Sequence, residues 1–462
     1  VAIEIKQLPG PKGMPILKNL TKIDLPNYHR QVEEWADEFG DVFYLDLAIG
    51  SQLVVTRPSL INKIAYERPE TFLRVQKMSD IIRDGGVHGV FNAEGEEWKR
   101  HRSVVTKGLD VKHQQRFYPA LVNKVEKLYK RWSEAAEAGE EIYIQKDLLR
   151  FTVDVTSSLA FGYDINTIEQ EGGVIQDQLE KIFPTIFKRI NMAIPWYKFI
   201  KSKADREYDE AVRVMKETVS VFIEETQEKI KQNPELKEHP TNLIESIVVA
   251  AKEEGAFTME EVRGNLMTLL MAGEDTTALT LTWLIHLLLA EPNVQDKIRT
   301  EVDTVLGDSP WIQDYKLNSQ LKYLEAAAFE ALRFKPVAPM ILHEAVKDIE
   351  LEGIRIPKGQ HVLTQYRYAA LKDDHFSEAR RFYPERWLKE SCCPVHNTEA
   401  FTPFGAGPRY CPGRNLAILE IRAVMAMLFK NFTIEAVPGY DVKEVMAFTM
   451  TPTEFLVRLK KR

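Results

Sequence analysis

The stretch from Met259 to Ala290 constrains the fold more than any other part of the chain. It reads as one helix that is apolar almost all round, with no polar stripe to turn toward water. Such a helix has to be enclosed by other elements, which calls for a large, mainly helical protein built around it. It is not a membrane span. Its most apolar part, Leu279 to Ala290, is broken by Thr280, Thr282 and His286, and falls short of the ~18 consecutive apolar residues a bilayer requires. With 462 residues, 44% of them hydrophobic and 28% charged, the chain has enough apolar material to enclose the helix without staples.

Charge and cysteine content narrow the class further. The 61 Lys and Arg stand against 68 Asp and Glu, a formal net charge of −7, so nothing global favours a nucleic-acid partner. Three cysteines make no disulfide framework, and a reducing, cytoplasmic setting is expected. Glu4 and Lys6 interrupt any apolar run at the amino end, so no signal peptide is read there. The sequence begins at Val1 rather than Met, which leaves a removed amino-terminal anchor open.

Along the chain, Pro9-Gly10-Pro11-Lys12-Gly13 is a stiff, irregular opening. A short helix is expected over His29 to Phe39. Strands are expected over Val42 to Leu47 and Leu53 to Thr56, with Ile49-Gly50-Ser51 as the hairpin turn between them. From about Tyr118 to Phe334 the pattern is nearly all helical, and Val212 to Ile230 reads as a surface helix. Strand signals return after Pro336, at Ile349 to Ile356 around a Gly353 turn and at His361 to Thr364. The irregular stretch Phe376 to Trp387 follows, then a helix over Asn415 to Leu428 and strands within Phe432 to Leu459. Repeats, low-complexity tracts and linkers are absent. The expected class is mainly α with a smaller β-rich part (α+β), as a single domain over 1–462. Its β-rich part covers about 40–60, 349–364 and 432–459, and its helical part about 65–335 and 414–430.

The most informative segment is Phe404-Gly405-Ala406-Gly407-Pro408-Arg409-Tyr410-Cys411-Pro412-Gly413. Its glycines let a backbone turn where a Cβ would clash and lie close to a flat ligand. Cys411 stands just before a helical pattern, a setting that favours the thiolate, the form in which sulfur binds metal. Arg409 is placed to pair with an anionic group on the same ligand. Other readings stay open at this point. Cys411 can be an ordinary thiol. A zinc grouping of Cys392, Cys393, His396 and Cys411 lacks the usual ligand spacing. A phosphate cradle lacks its third glycine and its Lys-Ser/Thr pair.

Three further segments carry polar residues where a core would not want them. Within the apolar helix, Ala272-Gly273-Glu274-Asp275-Thr276-Thr277 puts a glycine, acids and threonines in mid-helix. The Thr276 hydroxyl is expected to bond the Ala272 carbonyl and loosen the helix there, opening a groove, with Asp275 beside it as a proton relay. Kink residues and an exposed acid are the plainer reading. Glu330-Ala331-Leu332-Arg333 sets acid and base at i, i+3, by itself a weak surface pair. Trp98-Lys99-Arg100-His101-Arg102 places Trp98 and Arg102 on one helix face, or is simply a solvated basic helix.

Together these segments resemble the cytochrome P450 superfamily. Phe404 to Gly413 matches its thiolate signature F-x-x-G-x-R-x-C-x-G at every fixed position. Trp98 to Arg102 is similar to W-x-x-x-R, Ala272 to Thr277 to A-G-x-D/E-T-T, and Glu330 to Arg333 to E-x-x-R. The last is completed by Arg386 in Pro384-Glu385-Arg386-Trp387, and all stand in the family's order. The resemblance implies haem b between a long central helix and a cysteine-bearing loop, with Cys411 as the iron ligand whose electron donation favours O–O cleavage. It places Trp98, Arg102, Ala272, Gly273, His343, Phe404, Gly405 and Arg409 beside the cofactor, with His343 on a propionate. Thr276 would hold the distal oxygen or water and Asp275 would feed protons. Glu330, Arg333 and Arg386 would form a buried structural lock, and Phe91, Ala272, Val337, Ala338 and Met340 would line the substrate pocket.

The implied activity is monooxygenation: one atom of O2 enters an apolar substrate such as a fatty acid, terpenoid or steroid, by hydroxylation or epoxidation. The enzyme is expected as a monomer, with electrons from a separate ferredoxin-type, flavodoxin-type or flavin reductase partner. Lys99, Arg100, Lys107, Lys112 and Arg116 form a basic cluster where that partner would dock. The hairpin Val42 to Thr56 holds no Arg or Lys for a substrate carboxylate, which speaks against a simple fatty acid. A peroxide-driven enzyme on the same fold, a haem sensor and a cofactor-free helical adaptor are the rivals.

Overall fold

The apolar pattern at the centre of the sequence forms one continuous helix, Met259–Leu289, of 31 residues. Its start is fixed by a capping box: the Thr258 hydroxyl accepts from Glu261 N, and the Glu261 carboxylate accepts from Thr258 N. In this computed structural model, residues 2–48, 50–170, 174–192, 194–253, 257–388 and 396–462 are described. Cys392 and Cys393 of the zinc grouping lie outside them. The chain packs as two compact units. The first comprises Val1–Asp80, Phe329–Cys411 and Glu444–Thr451, and the second Ile81–Ala328, Pro412–Lys443 and Pro452–Arg462.

The second unit is helical and encloses the central helix. Ile144–Phe161 lies against it, itself buried along nearly its whole length. Gly273 makes this approach possible: a Cβ there would stand 2.5 Å from Thr156 Oγ1. One turn away, the Thr152 hydroxyl donates to the Glu274 carbonyl at 2.7 Å. Arg414–Asn431 packs on the same core with Met425, Leu428 and Phe429 fully buried. The surface helix expected at Val212 to Ile230 is part of a longer one, Lys203–Gln232. It buries Tyr208, Val212, Met215, Val219 and Ile223 along one side, as its spacing dictates. A small sheet of Phe432–Ala436, Val457–Lys461 and Glu141–Ile142 closes the unit. Among the described residues no helix is long and apolar enough to cross a membrane.

The first unit holds a five-stranded sheet in the order Val42–Leu47, Gly50–Val55, His361–Gln365, Met340–Ala345, Phe72–Arg74. The pair His361–Gln365 and Gly50–Val55 is parallel and the others antiparallel. Three expectations are corrected here. The hairpin pairs Leu47 with Gly50, so Gly50 and Ser51 belong to the strand rather than to the turn. Phe72–Arg74 is a strand inside a stretch expected to be helical. Met340–Ala345, which gave no strand signal, sits between two partners: Met-Ile-Leu opens it without alternation, and cross-strand packing rather than local pattern selects the conformation.

Candidate active site

The first unit carries the sulfur. From Phe404 the backbone turns through Gly405 and Gly407, at φ +73 and +65, conformations that disfavour any side chain. Gly407 passes so close to the helix Pro58–Tyr66 that a Cβ would lie 2.4 Å from the Ala65 carbonyl oxygen. Gly405 instead has open space on its Cβ side, where only Tyr410 Cα comes as near as 3.9 Å. The Cys411 N–H closes the loop on the Phe404 carbonyl at 2.8 Å, leaving the thiol half-buried. A thiol on a glycine-opened loop is a donor set suited to a flat, soft-metal cofactor.

The charged lock is present in the same unit. Arg333 donates to both Glu330 oxygens at 2.9 and 2.7 Å, and Arg386 Nε reaches Glu330 Oε1 at 3.0 Å, with all three side chains fully buried. Glu330 also accepts from Tyr383 N and Trp387 Nε1, each at 2.9 Å. The Trp387 ring packs on Phe401 with centroids 4.4 Å apart, and Phe401 leads into the Cys411 loop. The lock reaches the sulfur loop through this ring pair. His396 belongs to the same aromatic cluster, with its ring 4.9 Å from Trp387.

His343 lies on the strand Met340–Ala345, opposite Arg74. Its Nε2 is 3.2 Å from the Thr364 hydroxyl, which itself donates to the Ile341 carbonyl, so Nε2 is the donor of that pair. Nδ1 is buried and has no hydrogen-bond partner. Burial, and then the Arg68 and Arg74 charges, hold the imidazole well below its usual pKa. With the proton on Nε2 the open Nδ1 is an acceptor, so it is the nearby Arg68 and Arg74 charges that favour an anion such as a haem propionate here, and the ring itself could bond one only with its proton moved to Nδ1.

In the second unit the central helix has an opening. Most of it is buried, yet Ala272 is exposed, and Leu269, Gly273 and Thr276 are partly accessible at helical spacing on one side. The Thr276 hydroxyl donates to the Ala272 carbonyl at 2.8 Å, as its position predicts, and Asp275 is half-buried beside it. The expected loosening is absent. The helix runs unbroken, and Thr268, Thr280 and Thr282 make the same bond to the carbonyl four residues back. The groove arises from small side chains, not from a broken backbone. Gly273 differs from its expected role in that its Cβ direction faces Thr156 of Ile144–Phe161, so it serves helix packing.

Trp98 and Arg102 share one face of the helix Gly95–Gly108, Trp98 buried and Arg102 half-buried, while Lys99 and Arg100 point outward. The basic cluster is partly spent within the chain. Lys99 pairs with Glu96 at 2.6 Å and Arg100 with Glu261 at 2.9 Å, while Lys107, Lys112 and Arg116 are also exposed, Arg116 donating to the Pro240 carbonyl at 3.4 Å. Of the expected pocket residues, Phe91 and Met340 are half-buried and Ala338 is exposed. Val337 is buried, and its carbonyl accepts Met450 N at 2.8 Å.

One residue beside this site escaped the sequence reading. Glu420, on Arg414–Asn431, is fully buried and hydrogen-bonded to Thr277, next to Thr276. Burial lifts its carboxyl well above the usual range. An acid amid the apolar run from Leu416 to Leu428 was the available signal. Because the folded pKa is raised, the group's contribution to stability is complete below the unfolded carboxyl pKa of about 4.3 and is lost as pH rises through the folded value. Glu420→Gln is therefore expected to stabilise the protein at pH 7 and to match wild type near pH 4. Thermal unfolding at the two pH values checks this.

Comparison with known proteins agrees with the geometry. The family described as Cytochrome P450 matches residues 8–459. Protein LUTEIN DEFICIENT 5, chloroplastic, of Arabidopsis thaliana is 27% identical, over 90% of this chain and 71% of its own length. Probable cytochrome P450 508A4 of Dictyostelium discoideum is 26% identical, over 100% of this chain and 94% of its own. A bifunctional cytochrome P450/NADPH–P450 reductase 2 of Bacillus subtilis is 27% identical over 98% of this chain, which spans 42% of that protein. The match runs from the proline-rich opening to the last strand, and the chain belongs to the cytochrome P450 family and is, with it, a haem b monooxygenase.

Proposed function

We propose that this monooxygenase acts on an apolar substrate held against the open side of the central helix, with Cys411 as the haem ligand. The observation that carries the reading is the accessible Leu269, Ala272 and Thr276 face on an otherwise enclosed helix. Haem, when bound, supplies oxygen activation and insertion of one oxygen atom, chemistry no side chain performs. The chain's part is to ligate, orient and deliver protons. Arg409, Trp98 and Arg102 would hold the propionates, and His343 would join them only with its proton moved to Nδ1. Asp275, half-buried beside Thr276, takes protons from solvent and passes them to the Thr276 hydroxyl, whose own proton rests on the Ala272 carbonyl. Phe91, Val337, Ala338 and Met340 supply apolar walls.

Electrons come from a redox partner. An NADPH-dependent reductase is the favoured type, since a relative matched over nearly all of this chain is named as a P450 joined to an NADPH–P450 reductase. Lys107, Lys112 and Arg116 are its proposed docking charges.

Thr276→Ala tests the proton path. With NADPH, a flavin reductase and an apolar substrate, product per electron is expected to fall by about an order of magnitude. Hydrogen peroxide should rise in step, with substrate binding unchanged. Equal coupling in the variant would overturn Thr276's role. Turnover with added peroxide far above turnover with the reductase would replace the reading with a peroxide-driven enzyme.

A further inference from the structure

The segment carrying Phe91 is pressed against the central helix backbone to backbone. A Cβ on Gly264 would stand 2.1 Å from the His88 carbonyl oxygen, and one on Gly89 would stand 2.8 Å from the Asn265 side chain. At this contact Asn265 is buried and fully engaged. Its Oδ1 accepts the Val90 N–H at 2.9 Å, and its Nδ2 donates to the Glu261 carbonyl at 2.9 Å and meets His101 Nδ1 at 2.7 Å. A backbone N–H can only donate, so the atom facing Val90 has to be the amide oxygen, and the NH2 has to face His101. His101 Nδ1 therefore accepts, which puts the ring proton on Nε2, 3.4 Å from Glu261.

His101 is fully enclosed, with its ring 5.1 Å from Phe257 and 6.2 Å from His88. The charged groups around it are Glu261, paired with Arg100, and the set Arg83, His88 and Glu97, in which Arg83 Nε donates to His88 Nδ1 and His88 Nε2 bonds Glu97.

We propose that Asn265 is the positioning residue of the Phe91 segment, and that it holds Val90 only while His101 Nδ1 carries no proton. A protonated ring would set N–H against NH2, two donors with no acceptor between them. Turning the amide relieves that clash and withdraws the oxygen from Val90. The position of Phe91 is thereby coupled to a buried histidine. This rests on the reading of Phe91 as a pocket wall.

Hydrogen exchange of the peptide containing Val90 tests the tether in the haem-loaded protein without reference to the pocket. In Asn265→Ala the exchange is expected to speed up about tenfold. Asn265→Asp offers two acceptors, so it should hold Val90 best when His101 is protonated. That reverses the pH dependence expected of wild type, once intrinsic exchange is corrected for, and it reads the proposal even if the alanine variant fails to fold. Unchanged Val90 exchange in Asn265→Ala, or the same pH dependence in wild type and Asn265→Asp, overturns it. Binding of imidazole and of 4-phenylimidazole then tests the pocket. The phenyl compound alone is expected to lose affinity in Asn265→Ala, by about fivefold. A loosened Val90 with an unchanged ratio of the two affinities keeps the tether and overturns the place of Phe91 in the pocket.

Discussion

Cys411→Ser abolishes the strongly red-shifted Soret band of the dithionite-reduced protein under carbon monoxide, and with it all substrate turnover: this is the largest expected effect. The substitution is nearly isosteric, and the structural features of the loop do not involve the side chain. The turns at Gly405 and Gly407 and the Cys411 N–H bond to Phe404 all belong to the backbone. What changes is the donor, since a serine oxygen cannot give the soft, electron-rich ligation of a thiolate. Haem content and helical circular dichroism should therefore stay near wild type while the spectrum moves. An ordinary haem–CO band in the wild-type protein would remove sulfur as the ligand and favour a sensor. A wild-type protein that takes up no haem would return the helical adaptor to consideration.

The second large effect is expected from Glu330→Ala. Removing this carboxylate strands Arg333 and Arg386, both fully buried, and deprives Tyr383 N and Trp387 Nε1 of their acceptor. Breaking a buried ion pair from one side costs about 3–5 kcal/mol, against a total stability of about 5–15 kcal/mol for a folded domain. The protein should lose most of its haem and unfold at much lower urea. Arg333→Lys is expected to fail as well, because one ammonium cannot replace a fork that serves Glu330 and the carbonyls of Ala370 and Ala379 together. Lys99→Ala is the matched control, as its pair with Glu96 is exposed and worth less than about 1 kcal/mol. Urea midpoints and haem content across the three variants separate the cases.

These effects fall on residues that were readable in the sequence, and the reason is physical. A ligand loop needs glycines at fixed offsets, a lock needs its acid and base on one helix face, and the central helix needs apolar residues all round. Each leaves a local mark. What stayed hidden depends on partners far along the chain. Met340–Ala345 becomes a strand because His361–Gln365 and Phe72–Arg74 flank it. Gly273 is demanded by Thr156, and Glu420 is set by Thr277. Asn265 looks like any polar residue in a helix until Val90 and His101 are placed around its amide. The open side of the central helix was expected from a backbone defect, and side-chain size provides it instead.

The lock also bears on how such a chain can diverge. Beyond Glu330, Arg333 and Arg386 lie over the Phe376 ring, and Arg386 also over Tyr383, while their hydrogen bonds to the stretch before Pro384 go to the main-chain carbonyls of Ala370, Ser377, Glu378, Ala379 and Arg381. A carbonyl is the same whatever residue bears it. The outward side chains of Glu378, Arg380 and Arg381 can therefore be rewritten, in evolution or by design, while the clasp beneath them keeps its shape, so this surface can drift toward new partners without renegotiating the fold.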